Sequence, residues 1–458
     1  MIRLRPYQAE VARAILDSIV AKKGLVFSVE IARQGGKNEL SAHLEVLLLT
    51  LFIAKGGNAI KCSPTFKPQT VISMTRLKQR LDDFGYAGIW SSEMGYIFRL
   101  GAARQTFLSA EESSSVVGHT ANIMLEIDES QDVDGDKYTK EFRPMGSAFN
   151  VTTVHYGTTW DDSTLLEEIK QSNMELERED GIKRHFRYDW QEISKYNVEY
   201  RAFVEAERGR LGEEHPLFRT QYALLPIRGG DGFLSSQQIA QMHGEHVRNH
   251  QRQQKSKVYV AGIDIAGESE VIETQMLTRP GRDATVITIA EVIVPTDDSI
   301  NKDPYVNIVE QYAWIGRKHS ELYPQMVNIL KNLWDCNRIV VDATGIGEPI
   351  ASFLRQALGA RVTLFKFTQK TKSEMGFNLL AAINSGRLKL YKQDGSDDYR
   401  ELMFELGKAK SIYRPNQTLE FYVNPSDGHD DYLVSLALVV EAAARYVPRK
   451  ASGLSPSL

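Results

Sequence analysis

The chain has 458 residues, of which 42% are hydrophobic, 25% charged and 9% aromatic. This composition is typical of a folded globular protein and excludes an intrinsically disordered or collagen-like chain, and at roughly 100–200 residues per domain the length predicts two or three domains. The 55 Lys and Arg residues against 59 Asp and Glu give a formal net charge of -4. That balance excludes a uniformly basic nucleic-acid-binding surface but leaves room for a local basic groove.

The cysteine content and the hydropathy pattern indicate a cellular compartment. The two cysteines, Cys62 and Cys336, lie far apart and form neither a disulfide framework nor a CxxC pair, which favours a reducing, cytosolic setting. The N-terminal segment has a helical amphipathic pattern and lacks the apolar region of a signal peptide. The longest apolar stretch, residues 46–54, is much shorter than the roughly 20 residues that span a bilayer, so we expect no membrane partner.

In the first half of the chain, strand patterns alternate with helix patterns. Such alternation predicts an α/β fold with a mostly parallel, helix-covered sheet. The predicted strands are residues 24–31, 58–62, 123–127 and 151–159, and the predicted helices are residues 38–54 and 197–212.

A polar segment without apolar periodicity, residues 243–257, separates the two halves and predicts an exposed linker. The predicted organisation is a first domain over 1–235, a linker over 236–257, a second domain over 258–448 and a disordered tail over 449–458. In the second domain we predict strands at 258–265, 284–294, 339–341 and 362–367, and helices within 305–335, at 347–358 and at 430–446.

The segment Ala32-Arg33-Gln34-Gly35-Gly36-Lys37-Asn38 lies between a predicted strand and a predicted helix, which is the setting of a phosphate-binding loop. Gly35 and Gly36 would let backbone N–H groups turn toward phosphate oxygens, and Lys37 would reach the β- and γ-phosphates. Two departures weaken the match: Ile31 replaces the first glycine of the usual pattern, and Asn38 stands where a Ser or Thr hydroxyl would hold magnesium. A simple turn is the alternative.

Two acids, Asp128 and Glu129, follow the apolar run 123–127. At the tip of a buried strand beside a phosphate loop, Asp128 can hold magnesium through water and Glu129 can polarise an attacking water. The alternative for this pair is a strand end with solvated acids, but the phosphate-binding loop upstream argues against this alternative.

Two further positions complete the predicted nucleotide site. Thr158 and Thr159 follow the next strand, where their hydroxyls would sense the γ-phosphate, although ordinary strand-end threonines fit the pattern equally well. Gln8 precedes the first helical stretch, and its amide can pair with both the donor and the acceptor edge of adenine. A helix N-terminal turn beginning near Pro6 is the other interpretation of this segment, and the two are compatible.

The second half brings acids to the ends of two predicted strands and to the start of the last helix. The candidate metal ligands all have carboxylate side chains. They are Asp264, Asp342, Asp430, Asp431 and Glu270, which a hairpin after Asp264 could bring back to the site. Carboxylates gathered in this way raise each other's pKa unless a cation lies among them, and oxygen ligands favour Mg²⁺ or Mn²⁺. Two such ions would clamp an in-line attack on a phosphodiester. Each Asp taken singly is more often a strand-end or helix-capping residue.

These motifs together resemble one known family, the large terminase subunit of tailed double-stranded DNA bacteriophages. The resemblance covers nearly the whole chain and depends on the order and spacing of six segments. They are ARQGGKNE at 32–39, IMLEIDES at 123–130, YGTTW at 156–160, GIDIAG at 262–267, VVDATGIGEP at 340–349 and GHDDYLVSLAL at 428–438.

The resemblance implies an N-terminal P-loop ATPase of the additional-strand, catalytic-glutamate type and a C-terminal ribonuclease H-like nuclease with a mixed sheet. It implies a motor that hydrolyses ATP with Mg²⁺ to translocate double-stranded DNA into the prohead, and a nuclease that cleaves the concatemer with two metals, Mg²⁺ or Mn²⁺. The expected partners are the portal protein and the small terminase subunit. The expected assembly is a homo-oligomeric ring, a pentamer, on the capsid and a monomer in solution, in the host cell cytoplasm.

By the same resemblance, Arg33 and Lys37 would contact phosphates, and Thr158 with Thr159 would match the motif that couples hydrolysis to movement. Asp128 and Glu129 would serve magnesium and water. Asp264, Asp342 and Asp431 would hold the nuclease metals, with Asp430 as a near neighbour. One departure is the stretch 115–120, which has no arginine where the family tends to present one to a neighbouring subunit's nucleotide.

Two rival functions remain open at this level. A helicase-type or remodelling ATPase would share the phosphate loop but would need a second ATPase-like lobe in place of the acidic positions. A non-catalytic nucleic-acid-binding adaptor would need neither set of acids.

Overall fold

A computed structural model gives the structure of the chain and describes residues 3–111, 114, 116, 118–161, 163–227, 232–266, 284–295, 302–414 and 416–446. The chain divides into two compact units. Unit 1 contains Met1–Glu205 and Pro216–Gly229, and unit 2 contains Ala206–His215 and Gly230–Leu458. No helix in the described part of the chain combines the length and the hydrophobicity that crossing a bilayer requires.

Unit 1 is built on one eight-stranded sheet. Its strands are β1 Val26–Ile31, β2 Gly57–Ser63, β3 Ser91–Glu93, β4 Ile97–Leu100, β5 Ala103–Ser109, β6 Met124–Ile127, β7 Thr152–Gly157 and β8 His185–Tyr188. Its helices are α1 Pro6–Val20, α2 Lys37–Leu51, α3 Val71–Leu81, α4 Gly135–Lys137, α5 Leu165–Asp180, α6 Trp190–Ser194, α7 Val198–Leu211, which continues into unit 2 after Glu205, and α8 Pro216–Gln221.

The strand order in this sheet is β3-β4-β5-β2-β6-β7-β1-β8, and every pairing from β5 to β8 is parallel. The predicted mostly parallel sheet is therefore confirmed. The central strands β1, β6 and β7 are buried along almost their whole length rather than at alternate positions, as expected of parallel strands that are covered on both faces. Because β6, β7 and β1 are parallel neighbours, the segments that follow them meet at one edge of the sheet.

Unit 2 contains a six-stranded sheet and a two-stranded one. Its strands are β9 Val258–Asp264, β10 Ala284–Ile293, β11 Tyr305–Ile315, β12 Arg338–Asp342, β13 Val362–Phe365, β14 Leu388–Lys389, β15 Lys410–Tyr413 and β16 Leu419–Tyr422. Its remaining helices are α9 Ser236–Met242, α10 His319–Val327, α11 Glu348–Leu358, α12 Gln369–Asn384, α13 Asp397–Lys408 and α14 Asp431–Ala444.

The larger sheet has the order β13-β12-β9-β10-β11-β14 and is mixed, as expected. Strands β9, β10 and β11 pair antiparallel, whereas β12 is parallel to both β9 and β13. The apolar helix α14 crosses β9 at Gly262, where an added Cβ would lie 2.2 Å from the backbone N of Val439. Only a glycine at position 262 lets the backbone of α14 pack this closely against β9. This packing brings the start of α14 to the ends of β9 and β12.

Four predictions for unit 2 need correction or lie outside the described residues. The helix predicted from residue 305 is strand β11, which pairs along the whole length of β10. The predicted linker over 236–257 packs within unit 2: it begins with α9, and His246 Nε2 lies 2.7 Å from the Ile308 carbonyl O. Asn249 N also donates to the Val309 carbonyl at 2.9 Å, so this segment is not a free linker. Glu270 and the predicted tail from residue 449 lie outside the described residues.

Candidate active sites

The phosphate loop, residues 32–38, lies between β1 and α2 as predicted, and its two glycines are sterically required. Gly36 caps α2 in the left-handed conformation, with φ 88°. A Cβ on Gly35 would lie 2.4 Å from Ile193 Cδ1 and 2.7 Å from the Ala32 carbonyl O. The two departures from the usual pattern lie at the end of β1, where Ile31 is the last residue, and in the first turn of α2, which contains Asn38.

Side chains from two helices hold the carbonyls of this loop. Tyr7 Oη donates to the Gly35 carbonyl at 2.5 Å, Gln8 Nε2 donates to the Gly36 carbonyl at 2.8 Å, and Tyr200 Oη donates to the Arg33 carbonyl at 3.0 Å. Because these carbonyls accept hydrogen bonds from outside the loop, they do not turn into its interior. The interior is left to the backbone N–H groups, which would bind an anion. Tyr7 and Tyr200 were not predicted, because nothing local in the sequence links them to the loop.

Gln8 has a different position from the one its predicted role suggests. Its amide bridges the Gly36 carbonyl and the Arg5 N–H, which donates to Gln8 Oε1 at 2.8 Å, and the residue is 3% exposed. Gln8 therefore fastens the start of α1 to the phosphate loop. Contact with adenine stays a prediction for this residue.

Lys37 lies between the loop and the acidic tip of β6. Lys37 Nζ is 2.6 Å from Glu129 Oε1 and 3.8 Å from Asp128 Oδ1. Burial lowers the pKa of Lys37, but the charges of Glu129 and Asp128 outweigh this effect, so the net shift of the pKa is upward and the amine stays charged. The predicted convergence of these three residues is present.

Glu129 has the conformation of a constrained residue. Its φ of 46° lies in the left-handed region, which a non-glycine residue adopts only when its surroundings impose it. Asp128 is 3% exposed and its Oδ1 accepts from the Glu129 N–H at 3.1 Å. The turn therefore holds both carboxylates near Lys37 Nζ.

The residue at the usual Ser or Thr position, Asn38, fits a magnesium-nucleotide site. Its Oδ1 atom is buried and has no hydrogen-bond partner among the described residues. A buried amide oxygen without a partner is destabilising unless a ligand satisfies it, and amide oxygens are good ligands for Mg²⁺. Arg33 is exposed beside the loop, where its Nη1 donates to Gln221 Oε1 at 2.6 Å.

The two predicted threonines have separate roles in the structure. Thr159 Oγ1 donates to Glu30 Oε1 at 2.6 Å, and Thr159 is 2% exposed, so its hydroxyl supports β1 and does not face the loop. The backbone N–H of Thr158 donates to Gln131 Oε1 at 3.2 Å. Gln131 in turn donates from Nε2 to Glu129 Oε2 at 2.8 Å. Gln131 was not predicted, although it lies only two residues after Glu129.

The middle of β6 carries a buried acid, Glu126. Ser41 Oγ donates to Glu126 Oε1 at 2.7 Å, and Lys61 Nζ lies 2.8 Å from Ser41 Oγ. Burial raises the pKa of Glu126 well above its ordinary range, and the nearby carboxylate of Glu45 adds to the shift. Glu126 is fully buried, so it supports β6 from within the sheet.

In unit 2, the acidic cluster comprises Asp264, Asp342, Asp430 and Asp431. Asp264 ends β9 and Asp342 ends the parallel neighbour β12, while Asp430 and Asp431 begin α14. Burial raises the pKa of Asp264 well above its ordinary range, and the charges of Asp431 and Asp342 raise it further. The structure therefore brings together the four predicted acids that it describes.

Three of the four carboxylates in the cluster have a neighbour that donates to them or pairs with them. Ala284 N donates to Asp431 Oδ2 at 2.6 Å, Thr344 N donates to Asp342 Oδ1 at 2.8 Å, and Lys372 Nζ lies 4.0 Å from Asp430 Oδ2. These contacts hold the acids against their mutual repulsion.

A further buried acid, Glu405 on α13, was not predicted from the sequence. Its Oε2 accepts from the Leu433 N–H at 2.8 Å, so it caps the first turn of α14 beside Asp431. Burial raises the pKa of Glu405 to about 9, an effect that the Leu433 hydrogen bond reduces and the charge of Asp431 reinforces.

The cluster is suited to divalent cations by its chemistry, although it is not a closed cage. Within the described residues, no three His, Cys, Asp or Glu side chains converge on one point as metal ligands. Mg²⁺ commonly keeps several waters and binds through one or two carboxylates together with substrate phosphates. Burial is the main cause of the raised pKa of Asp264 and the charges of Asp431 and Asp342 add to it, and a divalent ion beside the carboxylate would offset both effects.

Comparison with known proteins identifies the fold. No protein-family model matches the chain, and no curated protein is similar to it in sequence. Solved structures of the large terminase from a thermophilic bacteriophage do match, over 96% of this chain. One crystal form has a TM-score of 0.54 and 11% identity over 98% of that chain. The complexes with ADP and with ATP-gamma-S have TM-scores of 0.53 and 0.51, with 10% and 11% identity, over 99% of those chains.

The chain has the fold of a phage large terminase. Since sequence identity is so low, this likeness describes the path of the backbone and leaves the side chains to be judged from this chain alone. The large-terminase fold accounts for the two sheets, one mostly parallel and one mixed, in their observed order along the chain. It also agrees with the resemblance drawn from the six sequence motifs.

Proposed function

We propose that the chain is a DNA-packaging motor subunit that hydrolyses ATP in unit 1 and cleaves DNA in unit 2. The observation that carries this proposal is the convergence of Lys37 Nζ on Glu129 Oε1, at 2.6 Å, at the mouth of a glycine loop. The same chain also carries an acidic cluster at two strand ends, which argues against a motor without a nuclease.

In unit 1, the chain's own groups suffice for most of the ATPase chemistry. The loop N–H groups and Lys37 would bind the phosphates, and Lys37 would exchange its ion pair with Glu129 for the β- and γ-phosphates. Glu129, thereby released, would polarise the attacking water, since its carboxylate is already aimed by the strained turn. Mg²⁺, held by Asp128 and Asn38, would neutralise charge on the phosphates.

In unit 2, the acidic cluster would take part in phosphodiester hydrolysis. Asp264, Asp342 and Asp431, with Asp430 nearby, would hold one or two divalent cations, which would supply an activated water and stabilise the leaving oxygen. Glu405 would keep the first turn of α14 in place, so that Asp431 stays at the strand ends.

The expected partners follow from the proposed activity. They are double-stranded DNA, the portal protein of the prohead, the small terminase subunit and further copies of this chain in a ring, a pentamer on the capsid. The expected place of action is the host cell cytoplasm. The reducing environment there suits the two buried free cysteines, Cys62 and Cys336.

The test is a separation of activities in the full chain, measured as ATP turnover and as cleavage of double-stranded DNA with Mg²⁺ or Mn²⁺. We expect Lys37→Ala and Glu129→Gln to lower ATP turnover by about 100-fold or more and to spare cleavage. Asp264→Asn and Asp342→Asn should do the reverse.

Exposed residues supply the matched controls for this experiment. Lys23→Ala and Asp427→Asn change the same residue types at exposed positions and should alter neither activity. Loss of both activities from one folded variant would contradict two separate sites. Cleavage that persists in Asp264→Asn would contradict the proposed nuclease site, and a wild-type chain that turns over ATP without cleaving DNA would leave a motor ATPase of the helicase or remodelling kind.

A further inference from the structure

We propose that Gln131 is a positioning residue that aims Glu129 and links it to the end of β7. The inference rests on the proposed ATPase function of unit 1 and adds to it a residue that transmits the state of the catalytic acid to the neighbouring strand. Gln131 lies in a short 3-10 turn, Ser130–Asp132, and is 4% exposed.

The first half of the link is the contact with Glu129. Both carboxylate oxygens of Glu129 have a partner: Oε1 has Lys37 Nζ at 2.6 Å, and Oε2 has Gln131 Nε2 at 2.8 Å. When Lys37 turns to a bound phosphate, Oε1 becomes available for water. Gln131 then remains as the donor that fixes the direction of the carboxylate, because it stays bonded to the other oxygen.

The second half of the link is the contact with β7. Gln131 Oε1 accepts from the Thr158 N–H at 3.2 Å, so the one amide group bridges the acid and the strand end. Gly157 makes room for it: a Cβ there would lie 2.2 Å from Gln131 Oε1 and 2.6 Å from Leu166 Cδ2. The glycine of the YGTTW motif is thus required by the amide of Gln131.

The link continues from β7 to the strand that carries the phosphate loop. Thr159, next to Thr158, donates to Glu30 on β1, one residue before the end of that strand. A change in the direction of Glu129 would therefore reach β7 and β1 through three hydrogen bonds. This gives the predicted coupling motif a physical connection to hydrolysis that does not require its hydroxyls to touch the nucleotide.

The test replaces the amide while keeping the volume, in the full chain with Mg²⁺-ATP. Gln131→Met removes both the donor and the acceptor, and we expect kcat for ATP to fall at least about tenfold while KM changes less than about twofold, because ATP binding does not use Gln131. The Thr158 N–H should also exchange with solvent hydrogen faster, as measured by hydrogen–deuterium exchange.

The chain offers a matched control in Gln105 on β5. Gln105 is fully buried in the same sheet, and neither its amide O nor its amide N has a hydrogen-bond partner among the described residues. Gln105→Met therefore makes the same chemical change without breaking a bond and should leave kcat and the Thr158 exchange unchanged.

A double-mutant cycle checks the route through Gly157. Gly157→Ala should lower kcat by displacing Gln131, and it should have a smaller effect in a Gln131→Ala background, where the clash with Gln131 is absent and only the one with Leu166 Cδ2 remains. Additive effects would contradict the shared contact.

The outcomes separate this inference from the proposed function. An active wild-type chain in which Gln131→Met behaves like Gln105→Met overturns the role of Gln131 and leaves the ATPase proposal standing. A wild-type chain without ATP turnover overturns both. A kcat loss with faster Thr158 exchange, absent from the control, supports the link.

Discussion

The clearest quantitative prediction concerns a histidine buried beneath the nucleotide site. His155 on β7 is fully buried, with Nδ1 2.9 Å from Ser130 Oγ and Nε2 3.2 Å from Tyr138 Oη. Burial is the cause that lowers the pKa of His155 from 6.5 to about 3. The ring is therefore neutral in the folded protein and joins β7 to the turn that follows Glu129.

The sign and the size of the effect follow from proton linkage. In the unfolded chain, His155 takes up a proton when the pH falls below 6.5. In the folded chain it takes up a proton only near pH 3. The free energy of unfolding therefore decreases as the pH is lowered from 6.5 to about 3. For these two pKa values, acidification from about pH 8 to about pH 5 costs about 2 kcal/mol of unfolding free energy. The loss should continue down to the folded pKa.

The assay is urea-induced unfolding of wild type and His155→Gln at a series of pH values. The glutamine cannot be protonated, so we expect the variant to lose about 2 kcal/mol less than wild type over that range, whatever its starting stability. His119→Gln, at a partly exposed position, is the control and should keep the wild-type dependence. An identical pH dependence in wild type and His155→Gln would refute the reasoning.

Three further predictions follow from the sites. Asp264→Asn should raise the unfolding free energy in EDTA, since it removes a carboxylate that burial and the charges of Asp431 and Asp342 destabilise, and calorimetry showing no gain would contradict this. Gly36→Ala, at φ 88° and with its Cβ 2.6 Å from Gln8 Nε2, should lower ATP turnover at least about tenfold while DNA cleavage continues. Thr159→Val should destabilise the chain by about 1–3 kcal/mol, because Glu30 loses the hydrogen bond from the Thr159 hydroxyl. The dissociation constant for ATP should change less than about twofold, and a large loss of affinity would indicate that the hydroxyl contacts the nucleotide.

The parts of the sites that could be predicted lie at strand ends. A buried apolar run followed directly by glycines or acids identifies a strand tip, and the parallel arrangement brings such tips to one edge. This is why Lys37, Asp128 and Glu129 were found as a group from the sequence. The same logic located Asp264 and Asp342, because β9 and β12 are parallel neighbours.

Other parts depend on partners that local patterns do not reveal. The apolar residues near the start of β11, such as Val306 and Val309, are spaced as in a helix, but pairing along the whole of β10 decides in favour of a strand. Thr159 was assigned to the nucleotide because its acceptor, Glu30, lies 129 positions away. Glu405 belongs to a helix without a motif, and only the fold brings it to α14.

The supposed linker shows a similar limit. Its polar composition suggested exposure, yet Arg248 is paired with Glu310 and Asp398 within unit 2. A single sequence does not show whether a charged residue faces water or pairs with an opposite charge far along the chain.

The most direct test of the account is a crystal structure of the full chain grown with Mn²⁺ and a slowly hydrolysed ATP analogue, with manganese located by anomalous scattering. We expect manganese beside Asp128 and Asn38, and manganese held between Asp264 and Asp431. A structure with the analogue bound in the phosphate loop but no manganese at the acidic cluster, at millimolar Mn²⁺, would contradict the claim that this chain houses two metal-dependent sites.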